Sequence, residues 1–182
     1  MTYLGADDTT VSGGEVYFVG PGALFSKVAL RTAETELDGP TRRVPDMDAL
    51  RFSRTDKAGT ITPPHMVVVH ETCARELLKA LERGADYLPR RRIAIAFERE
   101  DAACALFADV CDELLNRRVS LLPMNINITS WVRLLQVIQA GGHYVPPEVL
   151  RAQPGTGARH TSSPQPVVDP VCPPAGPTRR SR

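Results

Sequence analysis

An α/β protein with a central parallel sheet is the fold class the sequence predicts, and three observations carry the prediction. Apolar runs of strand length recur along the chain. Each is followed by a segment whose apolar residues return at helical spacing, and turn-forming residues separate the two. Strands alternating with amphipathic helices argue for right-handed βαβ units on one sheet.

The elements can be justified in order. Val16-Tyr17-Phe18-Val19 is a β-rich run ended by Gly20-Pro21-Gly22, and residues 23–37 place Leu24, Phe25, Val28 and Ala29 at helical spacing. Residues 38–64 are interrupted by Pro40, Pro45, Gly59, Pro63 and Pro64, with residues 49–52 as the candidate short strand. Met66-Val67-Val68-Val69 is apolar at every position, the mark of a strand covered on both faces. Residues 72–81 follow as a helix with Leu77, Leu78 and Leu81 on one side. Ile93-Ala94-Ile95-Ala96-Phe97 is the next strand, and its helix, residues 101–115, carries Ala103, Leu106, Phe107, Val110 and Leu114. Val119-Ser120-Leu121-Leu122 is the last strand. Trp131, Leu134, Leu135 and Ile138 then recur at i, i+3, i+4 and i+7, with Thr129 or Ser130 as N-cap and Gly141-Gly142 as the stop.

Length and composition bound the rest. The 182 residues fit one domain plus extra sequence, expected as a flexible lead-in over 1–14, a domain over 15–150 and a disordered proline-rich tail over 151–182. The formal net charge is +1, but the tail holds five arginines against Asp169 alone, so it carries +4 and residues 1–150 carry −3. The body is therefore not a basic nucleic-acid platform. Cys73, Cys104, Cys111 and Cys172 show no CxxC spacing, which favours reduced thiols in a cytoplasm. No apolar run approaches the about 20 residues that span a bilayer.

Two local sequences narrow the doubly wound options. Val19-Gly20-Pro21-Gly22-Ala23-Leu24-Phe25 resembles the opening of LuxR-type (NarL-like) bacterial response-regulator receivers, where an apolar strand runs into an acidic pair and a turn ending in Leu-Phe. Leu121-Leu122-Pro123-Met124-Asn125, then Trp131 and Leu135, then Ala140-Gly141-Gly142-His143-Tyr144-Val145-Pro146-Pro147-Glu148, resembles the last strand and helix of those receivers and the junction to their DNA-binding domain. The resemblance spans residues 15–150. It implies a flavodoxin-like (βα)5 three-layer sandwich in two-component signalling and transcription regulation.

Carried over position by position, the resemblance also implies that the site is degenerate. The acidic pair that holds Mg²⁺ in the family falls at Gly20 and Pro21, the phosphoacceptor aspartate at His70, the switch Ser or Thr near Phe97, and the lysine at Met124. Mg²⁺ asks for several hard oxygen ligands, and phosphoryl transfer depends on charge neutralisation. These residues supply neither, so a pseudo-receiver independent of phosphorylation is expected: no enzyme, no cofactor, no metal.

The family pairs through its fourth helix, fifth strand and fifth helix, here about residues 101–140. Leu106, Val110, Trp131 and Leu135 are the interface candidates, although the helical stripe argues for burying Trp131. The resemblance thus implies a homodimer or a regulatory protein partner, with neither direct nucleic-acid nor membrane contact. A helix-turn-helix domain should follow residue 150, and the tail has no periodicity to build one. The chain is then either a piece of a DNA-binding regulator or a domain that signals by association.

Other signals are weaker. His65 and His70 should lie on opposite sides of a strand and not share a metal. GPGALFSK fails as a phosphate-binding loop, since Pro21, Ser26 and Val28 stand where glycines and a hydroxyl are needed. Arg90-Arg91-Arg92 and Arg117-Arg118 each precede a strand and read as solvated loop charges. Cys104 and Cys111, seven apart, should share a core-facing side. The rival reading is a small doubly wound enzyme or ligand-binding protein with its site at the C-terminal edge of the sheet.

Overall fold

The computed structural model describes residues 14–21, 25–54, 61 and 63–152. The expected lead-in and proline-rich tail, and Gly22 to Leu24 in the first turn, lie outside the described residues. The chain runs β1 (Val16–Val19), α1 (Lys27–Glu36), β2 (Thr41–Val44), α2 (Met47–Arg54), β3 (Met66–His70), α3 (Ala74–Glu82), β4 (Ile93–Phe97), α4 (Glu100–Asn116), β5 (Ser120–Pro123), α5 (Ile128–Gln139) and α6 (Pro147–Arg151).

All neighbouring strands pair in parallel in the order β2-β1-β3-β4-β5. That is the flavodoxin-like winding, with the order reversing beside β1. Strand periodicity then sorts the core into two layers. Tyr17, Val19, Val67, Val69, Ile93, Ile95 and Leu121 face α2, α3 and α4. Val16, Phe18, Met66, Val68, Ala94, Ala96 and Leu122 face α1 and α5. Cys104 and Cys111 pack on the first layer from α4, as their spacing predicts.

Three expectations are corrected. The second strand is Thr41–Val44, whereas residues 49–52 lie inside α2, where Phe52 is 79% exposed. An edge strand has one pairing neighbour and tolerates charge, so Arg42 and Arg43 hid it. Asp46 Oδ1 accepts from the Ala49 amide at 2.7 Å and starts α2 instead. The α5 cap is Asn127, whose Oδ1 accepts from the Ser130 amide at 2.8 Å, not Thr129 or Ser130. In α1 the N-cap is Ser26, and Val28 points to solvent while Ala29, Leu30 and Ala33 meet the core.

The end of the domain wraps back on the sheet. Gly141 takes φ +85° after α5, a left-handed stop that suits glycine. The chain then passes the free margin of β5: the Leu121 amide donates to the Tyr144 carbonyl at 2.8 Å, and His143 Nε2 donates to the Val119 carbonyl at 2.9 Å. Val149 of α6 is buried against α4. Among the described residues no helix is long and apolar enough to cross a membrane.

Candidate functional site

Parallel strands deliver their last residues to one edge, and Gly20, His70, Phe97 and Met124 meet there, as placed from the sequence, with Pro21 beside them. At the end of β1, Gly20 adopts φ +152°, and a Cβ on it would stand 2.7 Å from the His70 Cβ. β1 and β3 therefore converge where the family would seat an acidic side chain. His70 ends β3 opposite Ala96 and is 3% exposed.

The His70 ring is fixed from both ends. Its Nδ1 accepts from the Thr72 amide at 3.2 Å and lies 3.0 Å from the Thr72 hydroxyl, capping the 3-10 turn Glu71–Cys73 that precedes α3. The neutral ring thus keeps its proton on Nε2, which is buried without a hydrogen-bond partner among the described residues. Phe25 meets the ring edge-on at 6.2 Å between centroids. Arg43 of β2 donates to the Phe25 carbonyl at 3.0 Å and so ties the backbone that carries that phenyl to the sheet edge. Behind it, Phe25 lies 5.2 Å from Phe18, and Phe18 stacks on Trp131 at 6.0 Å. An aromatic row so runs from the site into the layer under α1 and α5.

Phe97 lies on the other face, buried in the first layer, so its position offers no hydroxyl. The Met124 amide donates to the Phe97 carbonyl at 2.8 Å, and its side chain packs beside Trp131, Ile126 and Glu98 along a cleft of about 440 Å³. An apolar thioether thus stands where the family places a cation.

Two carboxylates join the site: Glu71, next to His70 in sequence, and Glu98, which with Asp46 is a carboxylate that the sequence itself offers for this edge. Burial, and then the charge of Glu98, push the Glu71 carboxyl up, and its Oε2 is buried without a partner among the described residues. Each directly follows a strand, Glu71 after His70 and Glu98 after Phe97, which is the signal that points to them. No three His, Cys, Asp or Glu side chains among the described residues are placed to share a metal ion.

Burial holds the His70 imidazole below its ordinary range, with Glu98 opposing in part, and burial with the Arg92 charge does the same to His65. For a depressed imidazole the unfolded chain binds more protons, so stability is full above about pH 6.5 and is lost as pH falls below it. Glu71, raised when folded, acts with the opposite sign above its ordinary carboxylate range. The urea midpoint should therefore fall between pH 7.5 and 5.5. The drop should flatten in the His65→Asn/His70→Gln double variant, and equal slopes in the two proteins would rule these rings out as the cause.

Of the interface candidates, Leu106 and Val110 are half-buried against the first layer, and Val110 breaks α4 with φ −137° and ψ 28°. Trp131 is buried in the second layer, as the stripe it shares with Leu135 and Ile138 argues, and Leu135 is buried with it, so both are corrected as interface candidates.

Comparison with known proteins supplies the remaining finding. No protein-family profile matches the chain, and no curated protein matches it. Among solved structures it is similar to a two-component response regulator of the LuxR family from Aurantimonas sp. SI85-9A1, with a TM-score of 0.56 at 16% sequence identity, covering 78% of this chain and 95% of that one. At that identity the likeness is one of fold, and the fold is the flavodoxin-like receiver fold.

Proposed function

We propose that this chain is a receiver-like regulatory module of LuxR-type signalling whose state does not depend on aspartyl phosphorylation. It acts in the cytoplasm by contact with a second copy or a regulatory protein. The observation that supports this best is the packing of His70: a capped imidazole, closed over by Phe25 and pressed against Gly20, fills the space in which the family holds its phosphorylated aspartate and metal. With an imidazole in place of the phosphoacceptor and a thioether in place of the lysine, a phosphoryl group has no attachment point or cationic partner there through which to favour one state over another, and a ligand shifts an equilibrium only by its differential affinity for two states.

The contact face we favour is that of α4, β5 and α5, now with residues 142–151 as part of it. The His143 and Tyr144 bonds to β5 and the burial of Val149 on α4 make that segment part of whatever meets a partner. Leu115, Ile128, Val137 and Leu150 are the large apolar side chains exposed on these elements among the described residues.

Beryllofluoride with Mg²⁺ mimics an aspartyl phosphate, so it tests the reading directly. The amide spectrum and the sedimentation coefficient should both be unchanged by it, and by acetyl phosphate with Mg²⁺. A Mg²⁺-dependent shift of signals around His70, or altered association, would show a working phosphorylation site.

A further inference from the structure

The opposite end of the sheet holds a feature that the receiver reading does not use. Arg90 to Arg92 lead into β4 and Arg117 with Arg118 lead into β5, and the two strands are parallel neighbours. Runs that are separate solvated charges in the sequence are therefore brought side by side at the N-terminal edge. Arg92 and Arg118, at matching places before their strands, both adopt positive φ, +69° and +56°. Left-handed backbone at a bulky side chain is uncommon, and such conformations gather at functional sites.

These loops enclose two adjoining troughs of about 760 and 670 Å³, which share Pro63, Pro89, Arg90 and Arg91. Recesses of that size suit small ligands. The carboxylates lining them among the described residues are Glu15 and Asp86, and Glu15 is already engaged by Arg42 and Arg54. Arg117 pairs with Glu113. Arg90, Arg91 and Arg118 line these troughs, are exposed, and make no ion pair or hydrogen bond among the described residues, so their charge there is uncompensated.

His65 also lines the first trough, where Arg92 Nη1 donates to its Nδ1 at 3.3 Å and so ties Arg92 to the wall; the ring's Nε2 is buried without a partner among the described residues. A recess that presents several donors, most of them cationic, selects a ligand that only accepts and carries more than one negative charge. Guanidinium forks match phosphate oxygens in geometry as well as charge.

We propose that this trough binds a linear oligophosphate, either free or as the phosphate tail of a nucleotide. Nucleic acid fits less well, because the lining has proline walls and no aromatic side chain on which successive bases could stack. The site lies at the far end of the strands from His70, so this proposal and the phosphorylation-independent reading stand or fall separately.

Calorimetric titration of the full chain at low ionic strength provides the test, with sodium tripolyphosphate, ATP and a single-stranded oligonucleotide as probes. Tripolyphosphate should bind saturably. Affinity should weaken about tenfold or more in the Arg90→Ala/Arg91→Ala/Arg118→Ala variant, as expected for loss of charge-assisted bonds, and should hold in Arg133→Ala, which removes an exposed arginine from α5. ATP binding as tightly as tripolyphosphate assigns the tail of a nucleotide as one source; ATP binding weakly assigns the free oligophosphate. Amide signals of His65 and of residues 90–92 and 117–118 should move in the wild-type protein, which keeps the test independent of how the variants fold. The proposal is overturned by unsaturable binding, by signals moving elsewhere, by equal weakening in Arg133→Ala, or by an oligonucleotide that binds more than about tenfold tighter than tripolyphosphate.

Discussion

Phe18→Ala should lower the unfolding free energy by about 3–5 kcal/mol, a large share of the about 5–15 kcal/mol that holds such a domain together. Phe18 has no exposed surface and sits on β1, which pairs on both sides, to β2 and β3. Its ring lies between two others, stacked on Trp131 and edge-on to Phe25. Truncation removes the transfer term for the ring, empties a cavity that backbone paired on both sides cannot close, and deprives both neighbours of a partner. The chain's single tryptophan is one of those neighbours, so urea unfolding followed by its fluorescence reports on the site itself. Phe18→Leu, which keeps much of the volume, should cost clearly less. A loss below about 1 kcal/mol for Phe18→Ala would mean that the two aromatic contacts carry little.

Gly20→Ala should cost about 3 kcal/mol although it adds one methyl group. Two effects combine there. The φ of +152° is a conformation that side chains rarely adopt, and the new Cβ would stand 2.7 Å from the His70 Cβ, an atom fixed to its backbone with no rotamer to turn away. Removing the opposing atom separates them: in the Gly20→Ala/His70→Gly double variant the steric part is relieved while the backbone part stays, giving a coupling measurable in a double-mutant cycle. Equal losses with and without the His70 side chain would place the whole penalty in the backbone. The same geometry bars any acidic side chain at position 20, so one substitution there cannot rebuild the family's metal-holding pair on this backbone.

What the sequence reveals, and what it hides, follows from where each element sits. β3 and β4 are sandwiched between helical layers, and Met66 to Val69 and Ile93 to Phe97 are accordingly apolar without a break. β2 lies at a margin, and Thr41-Arg42-Arg43-Val44 carries no such run. The site was readable as positions, because parallel strands end at one edge and their last residues can be counted. Its content was not: Phe25 closing over His70, and Glu98 raising Glu71, join residues 45 and 27 apart and exist only once the strands are ordered. The arginine runs are largely exposed, as read, but their adjacency was hidden for the same reason, since it depends on β4 lying beside β5. Trp131 and Leu135 mark the limit of carrying an interface over by resemblance, because the stripe that identifies their helix also buries them.

The way the sheet ends has a consequence for how two molecules can meet. Bare outer strands recruit further strands through their unspent amides and carbonyls. Here the β5 side is occupied by the chain's own His143 and Tyr144, while the β2 side carries Arg42 and Arg43, charged residues of the kind that blunt an edge strand. Cross-molecule extension of the hydrogen-bonded ladder is thereby discouraged at both flanks, and recognition is left to side-chain shape and charge, which evolve residue by residue without disturbing the scaffold beneath.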